Sequence, residues 1–396
     1  MEIKQSPFAP KSYPELPDID GISIFAGNAA IKYKNRPDVF LAVLDDNTSS
    51  AGVFTKSKTR SAAIDWCRAT LKNGNAKALL VNSGNSNAFS GEEGIKAVEE
   101  SMQAVANLIG TTAQSIYMCS TGVIGVPLPY QKITSKLDGI YKSGKCSWQD
   151  AALAISTTDT FLKMHSIKIG EITINGIAKG SGMIAPDMAT MLAYIFTDAK
   201  ISSDDLQQML SEINEQTFNA ITVDSDTSTS DSLIAFATNK KEVDKQKFRN
   251  GLEKVMMNLA HQVAKDGEGA TKFIEVEVTG AENDKAAKKI ALTIGNSPLV
   301  KTAIAGEDAN WGRVVMAVGK SGEAAERDKL SIKFGELLVA EKGKAAPSYD
   351  EEKVSAYMKN QELKICVDVG VGNGKAIIWT CDLTHQYISI NADYRS

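Results

Sequence analysis

Residues 179–192 read Lys-Gly-Ser-Gly-Met-Ile-Ala-Pro-Asp-Met-Ala-Thr-Met-Leu, and the rest of the chain is organised around them. The glycines of the first half allow sharp turns and close backbone approach. Pro186 fixes a turn, after which Met188 to Phe196 is a nearly unbroken apolar run that belongs inside a core. At the seam between the two halves stands one hydroxyl, that of Thr190, preceded by the small Ala189.

A buried threonine ordinarily satisfies a neighbouring carbonyl and does nothing more. A strained turn offers a second use. The Thr190 hydroxyl can attack the Ala189 carbonyl carbon, converting the amide into an ester that water then cuts. The freed α-amine of Thr190, with a reference pKa of about 7.7 to 8.0, then lies beside its own hydroxyl and can take that proton near neutral pH. One residue would supply both nucleophile and base.

The stretch resembles the self-cleavage motif of the ornithine acetyltransferase family of arginine biosynthesis. Further blocks resemble the family in the same order: Ala51-Gly-Val-Phe-Thr55, Asn82-Ser-Gly-Asn85, Ser120-Thr-Gly-Val-Ile-Gly125, Thr157-Thr-Asp-Thr160, Asp266-Gly-Glu-Gly-Ala-Thr-Lys272, Gly306-Glu-Asp-Ala-Asn-Trp-Gly-Arg313 and Asn391-Ala-Asp-Tyr-Arg-Ser396. The resemblance spans nearly the whole chain. It implies cleavage between Ala189 and Thr190, giving an α chain of residues 1–189 and a β chain of residues 190–396 that starts with the nucleophile. It also implies Thr121 and Gly122 as the oxyanion pair. Thr157, Lys179, Thr190, Glu268, Asn391 and Ser396 are implied substrate contacts, with Lys179 suited to a carboxylate and Glu268 to an ammonium of ornithine. The implied assembly is a heterotetramer of two α and two β chains. No metal or bound cofactor is implied; acetyl-CoA is a possible co-substrate.

At 396 residues, 43% hydrophobic and 23% charged, the chain has an ordinary globular composition and can bury a large core. A formal net charge of −4 leaves no basic footprint for nucleic acid. Five cysteines, Cys67, Cys119, Cys146, Cys366 and Cys381, are scattered and never form a Cys-x-x-Cys pair. They read as reduced thiols of a cytoplasmic protein, which makes Asn47-Thr48-Ser49 a chance glycosylation match. Neither a secretory leader nor a membrane span is expected.

Taken in order, the proline-rich residues from Met1 to Asp20 read as an extended arm, on the surface or on a partner subunit. Ile22 to Phe25, Val39 to Leu44 and Ala51 to Phe54 suggest an antiparallel meander. Ala78 to Asn82 is a strand ending in the polar loop Asn82-Ser83-Gly84-Asn85, suited either to gripping a carboxylate or to shaping a turn. Helical spacing of Ile95, Val98, Met102, Val105 and Ile109 predicts a helix over Gly94 to Ile109. Ile116 to Gly125 is a strand that stops at Thr121-Gly122, either a plain turn or a site where backbone donors and a hydroxyl converge. Trp148 to Ile155 is a short helix, followed by Thr157-Thr-Asp-Thr160, which can cap a helix or meet a ligand, and by a hairpin from Ile167 to Ile177.

Past the motif, Ser203 is expected to cap a helix carrying Leu206, Leu210, Ile213 and Phe218. The acid-rich Val223 to Ser230 loop lacks the glycine and bidentate glutamate of a calcium loop. Val243 to Lys265 reads as a long helix ended by Asp266-Gly267. Strands are expected at Phe273 to Val278 and Ile290 to Ile294, a helix after Ser297-Pro298, and a packing loop at Asn310-Trp-Gly-Arg313. Gly319-Lys320-Ser321 lacks the first glycine of a phosphate loop. Gly370-Val-Gly-Asn-Gly374 joins two β runs and opens no helix. Tyr387 to Ala392 reads as a final strand.

The mixture of short strands and a few long helices predicts an α+β fold, and the resemblance makes it a layered αββα sandwich with two central, mostly antiparallel sheets, similar to self-cleaving aminopeptidases. His165, His261 and His385 are the only histidines, none at metal-ligand spacing, and no Gly-x-Ser-x-Gly elbow occurs. The expected activity is ping-pong transfer of acetyl from N-acetylornithine through Thr190 to glutamate. A hydrolase using the same nucleophile and an uncleaved ligand-binding protein are the alternatives.

Overall fold

Alternation of large apolar side chains along Val39–Leu44 and Leu192–Ala199 sets two sheets face to face. The structure is a computed structural model that describes residues 4–185 and 191–392. It divides into two units. The larger comprises Pro10–Asn219 and Asp226–Val263, the smaller Met1–Ala9, Ala220–Ser225 and Ala264–Ser396.

The larger unit contains strands β1 (Ile22–Gly27), β2 (Val39–Leu44), β3 (Ser49–Phe54), β4 (Ala78–Asn85), β5 (Ile116–Val123), β6 (Lys163–Ile169), β7 (Ile172–Lys179), β8 (Leu192–Ala199) and β9 (Ser232–Lys241). Its helices are α1 (Ala62–Leu71), α2 (Gly91–Ile109), α3 (Tyr130–Lys142), α4 (Trp148–Ile155), α5 (Ser203–Asn214) and α6 (Lys245–Lys265), the last of which runs on into the smaller unit. One sheet has the order β1-β2-β4-β5, the other β3-β9-β8-β7-β6. Both are mixed, with β4–β5 and β8–β9 parallel and the remaining pairs antiparallel.

Between the sheets lie Phe40, Leu79, Val81 and Tyr117 from the first and Ile177, Tyr194, Phe196 and Phe236 from the second. Phe196 stacks on Phe236 and meets Phe40 edge to face. Each such side chain contributes about 1.5 to 3 kcal/mol on burial, and a one-residue slip of any strand would turn its set outward. The intervening residues Val39, Leu41, Leu80 and Met118 face the other way, against Val98, Met102 and Val105 of α2 and Ile133 and Leu137 of α3. On the outer face of the second sheet Gly176 lets α6 approach, since a Cβ there would meet Leu259 at 2.7 Å and Val255 at 2.8 Å. The layers are therefore helix, sheet, sheet, helix, as expected. α2 stops at Gly110, whose φ of 70° closes the helix in the left-handed region, and α4 opens on a Ser147–Asp150 capping box.

In the smaller unit β10 (Phe273–Ala281), β11 (Ser331–Phe334), β12 (Leu337–Glu341), β13 (Lys344–Ala345), β14 (Glu362–Asp368) and β15 (Gly374–Cys381) form a sheet of order β13-β12-β11-β14-β10-β15. The helices are α7 (Asp284–Gly295), α8 (Pro298–Ala305), α9 (Trp311–Gly319), α10 (Glu351–Met358) and α11 (His385–Ala392). Strands β14 and β15, joined through Gly370 and Gly374, are not neighbours; β10 lies between them.

Several expectations are corrected. β3 leaves the meander and pairs with β9 in the second sheet. Ser202, not Ser203, caps α5, its hydroxyl accepting Asp205 N–H, and the helix ends at Asn214, so Phe218 lies beyond it in a short turn of its own. Ile290 to Ile294 lies inside helix α7, where Ala287, Ile290, Ala291 and Ile294 recur at helical spacing behind the Asn283 cap; the five-residue apolar run alone carries no period to separate helix from strand. Asn310 to Arg313 is no loop, because Asn310 accepts Arg313 N–H and opens α9. Tyr387 to Ala392 is helical, as Thr384 takes Gln386 N–H on its hydroxyl and Tyr387 N–H on its carbonyl. The arm is no surface appendage over its second half. Leu16 and Ile19 are buried in the inter-sheet core, and the Pro17 carbonyl accepts from Trp148 and Asn175.

Candidate active site

In the larger unit the parallel strands β4 and β5 end side by side. Asn82, Ser83 and Asn85 are buried. The Ser120 hydroxyl donates to Asn82 Oδ1 at 2.7 Å, and Asn82 Nδ2 donates to the Asn85 carbonyl at 2.9 Å. Asn82–Asn85, expected as a polar loop, is instead the end of strand β4, paired in parallel with β5. Its asparagines tie the strand ends together beside Thr121 and Gly122. Gly122 has φ +132°, and a Cβ there would meet the Gly84 carbonyl carbon at 2.3 Å and Asn85 N at 2.5 Å. Only glycine fits so close a backbone approach. The ladder register shifts between Gly84 and Asn85, beside this pair.

Lys179 closes β7 at 5% exposure and donates through Nζ to the Thr121 hydroxyl at 3.3 Å. Two implied site residues from different sheets thus meet. Two buried carboxyls accompany the lysine. The Asp159 carboxylate accepts from Lys163 Nζ at 2.6 Å, Gly180 N–H at 2.7 Å and Thr157 N–H at 2.8 Å. Its side chain is 2% exposed and that of Lys163 fully buried. Burial alone would raise its pKa, but the Lys163 and Lys179 charges and the Gly180 N–H hold it well below the ordinary carboxylate range. Asp159 therefore stays ionised and orders both Thr157 and the residue after Lys179. The second carboxyl, Asp231, accepts Met191 N–H at 2.9 Å. Burial pushes it well above the ordinary range, outweighing the Met191 hydrogen bond and the Lys179 charge. Gly180 and Met191, on either side of the Thr190 stretch, are thus each held by a buried acid.

In the smaller unit Glu268 is 7% exposed and accepts from Asn391 Nδ2 at 2.7 Å. The turn that carries it passes against the start of α11, where a Cβ on Gly269 would meet Gln386 Cβ at 2.6 Å, and Thr384 donates to the Gly269 carbonyl at 2.8 Å. Glu268 and Asn391, 123 residues apart, are brought together by this packing. Ala189, Thr190 and Ser396 lie outside the described residues. Among the described residues no group of three or more His, Cys, Asp or Glu side chains could hold a metal ion, and no helix is long and apolar enough to cross a membrane.

Sequence reasoning passed over Lys163 and Asp231, and gave Asp159 only as a possible cap or ligand. Asp231 had a signal: it abuts the apolar run Leu233 to Ala237, where an unpaired acid is expensive. Lys163 had none, since nothing local marks a lysine as buried.

Residues 23–396 match the ArgJ family. The arginine biosynthesis bifunctional protein ArgJ of Mesorhizobium japonicum is 53% identical over 413 residues, covering all of both chains. The protein of the same name from Ruegeria pomeroyi is 56% identical over 403 residues, covering 99% of each. Among solved structures, the ornithine acetyltransferase of Mycobacterium tuberculosis complexed with ornithine is 30% identical, covering 43% of this chain and 94% of its own, with a TM-score of 0.42.

Proposed function

The chain belongs to the ArgJ family and is an acyltransferase of arginine biosynthesis, and on that premise we propose that it moves acetyl from N-acetylornithine to glutamate through Thr190. The observation that carries the reading is the anchoring of Gly180 and Met191 by Asp159 and Asp231, with Lys179 bonded to Thr121 beside them.

Self-cleavage comes first. Thr190 Oγ attacks the Ala189 carbonyl carbon, the C–N bond breaks, and its nitrogen leaves as the Thr190 α-amine; water then hydrolyses the ester to an Ala189 carboxylate. In turnover the amine takes the hydroxyl proton as Oγ attacks the acetyl carbonyl. Thr121 and Gly122 donate to the oxyanion, each such donor being worth about 2.7 to 4 kcal/mol. The proton passes to the departing amine, ornithine leaves, and the glutamate amine attacks the acetyl ester in the second half-reaction. Lys179 pairs with a substrate carboxylate, Thr157 contacts the substrate, and Glu268, held by Asn391, takes an ammonium. Ser396 is a further substrate contact. Acetyl-CoA serves as a second acetyl donor, no cofactor stays bound, and the cleaved chains work as a cytoplasmic heterotetramer of two α and two β chains.

Intact-mass measurement of the purified protein beside Thr190→Ala tests this. Wild type should give chains of 189 and 207 residues, and the variant a single chain of 396. Transfer to glutamate is then followed with each donor. A wild-type preparation that is never cleaved, or free acetate as the main product, would overturn the reading.

A further inference from the structure

Asp231 is 1% exposed; its Oδ2 makes no hydrogen bond of ordinary geometry among the described residues, although the Thr55 hydroxyl and the Ser228 N–H lie close to the carboxyl. Its other oxygen, Oδ1, accepts Met191 N–H at 2.9 Å. The Asp231 carbonyl accepts Thr55 N–H at 3.0 Å, and the next residue, Ser232, donates its N–H to the Met191 carbonyl at 3.0 Å. From there Leu192 and Ser232 begin the parallel β8–β9 ladder. Met191 is thereby gripped on both its N–H and its carbonyl by two consecutive residues. A sheet edge needs no carboxyl for this; backbone groups serve elsewhere along the same ladder. A buried acceptor left unsatisfied costs about 1 to 3 kcal/mol, a cost that a backbone contact at this place would avoid.

We propose that Asp231 is a positioning residue for the nucleophile, gripping the amide that follows Thr190 so that the hydroxyl and the freed amine stay aligned once the Ala189–Thr190 bond is gone. The proposal rests on the reading of Thr190 as nucleophile. Before cleavage Thr190 is tethered by peptide bonds on both sides; afterwards only its bond to Met191 remains. That peptide unit is planar, so fixing Met191 N–H fixes the carbonyl carbon of Thr190. The motions left are rotations about the bonds at its Cα. Without the grip the nucleophile drifts, and a misplacement of about 1 Å costs on the order of 10²-fold in rate. The grip needs only an acceptor oxygen toward Met191 N–H, a role an amide oxygen can fill.

The test compares wild type, Asp231→Ala, Asp231→Asn and Thr190→Ala, with the cleaved fraction read by intact mass and kcat and KM expressed per cleaved chain. Asp231→Ala should lose roughly 30- to 100-fold in kcat with KM within about threefold, whereas Asp231→Asn should stay within about threefold in both. If the alanine variant does not fold, Asp231→Glu replaces it; the arm one methylene longer displaces Met191, and kcat should fall at least about tenfold with unchanged circular dichroism. Wild-type kcat in the alanine or glutamate variant, or an asparagine variant no faster than alanine, overturns the proposal while leaving Thr190 untouched. Cleavage and transfer persisting in Thr190→Ala would instead remove the nucleophile on which it rests.

Discussion

Replacing Gly122 with alanine adds one methyl group where three backbone atoms of β4 already stand. The new Cβ would lie 2.3 Å from the Gly84 carbonyl carbon, 2.5 Å from Asn85 N and 2.7 Å from the Gly84 oxygen, against an ordinary contact of 3.4 Å or more. None of the three is the tip of a flexible side chain, so the strand ends must part by about 1 Å. The φ of +132° adds strain for any residue with a Cβ of roughly 1 to 3 kcal/mol. Asn82 and Ser120, whose hydrogen bonds tie these strands, resist the movement. Thr121 and Gly122 therefore shift relative to Lys179. A shift of this size costs about 10²-fold in rate, and complete loss of one oxyanion donor 10² to 10³-fold. Gly122→Ala is expected to lower kcat for acetyl transfer by about 10² to 10³-fold with KM changed by less than about fivefold, and to lower the thermal midpoint by several degrees. Steady-state kinetics and a melting curve measure both. A soluble Gly122→Ala enzyme with kcat within threefold of wild type would refute the assignment of this strand end to the transition state.

Two further outcomes follow from the buried charges. Asp159→Asn removes the partner of the fully buried Lys163 and should destabilise the fold by about 3 to 5 kcal/mol, read by denaturant unfolding. Because the folded pKa of Asp159 is depressed, its contribution is present above the unfolded carboxylate pKa of about 3.9 and is lost as pH falls through the folded value; the gap between wild type and variant should begin to narrow below about pH 4 and shrink further as the pH falls, and a gap that widened there would contradict the ion pair. Asn391→Ala strips the amide from Glu268 and should raise KM for N-acetylornithine by roughly five- to tenfold, a loss of about 1 to 1.4 kcal/mol of ground-state binding; an unchanged KM with lowered kcat would place Asn391 elsewhere in the reaction.

The amino-acid order alone determined the local elements whose signals are local. Trp148 to Ile155 is the helix its composition announces, Ser297-Pro298 opens α8, and the apolar run after Thr190 becomes strand β8. It also carried the family, because short blocks keep their order whatever the fold does with them. Partner choice belonged to the tertiary structure. Ala51 to Phe54 has the pattern of a meander strand yet pairs with β9, since apolar alternation says which face is buried and not which sheet receives it. Ile290 to Ile294 and Tyr387 to Ala392 became helical through caps and packing beyond their own windows. The same limit held for charge. Lys163 and Asp231 are in a low-dielectric interior only because distant strands enclose them, and hydrogen bonds such as Lys179 to Thr121 or Asn391 to Glu268 span 58 and 123 residues. Residue type fixes which chemistry is possible, whereas burial and distance, which decide whether a carboxyl is ionised and what it holds, arise only when the chain is folded.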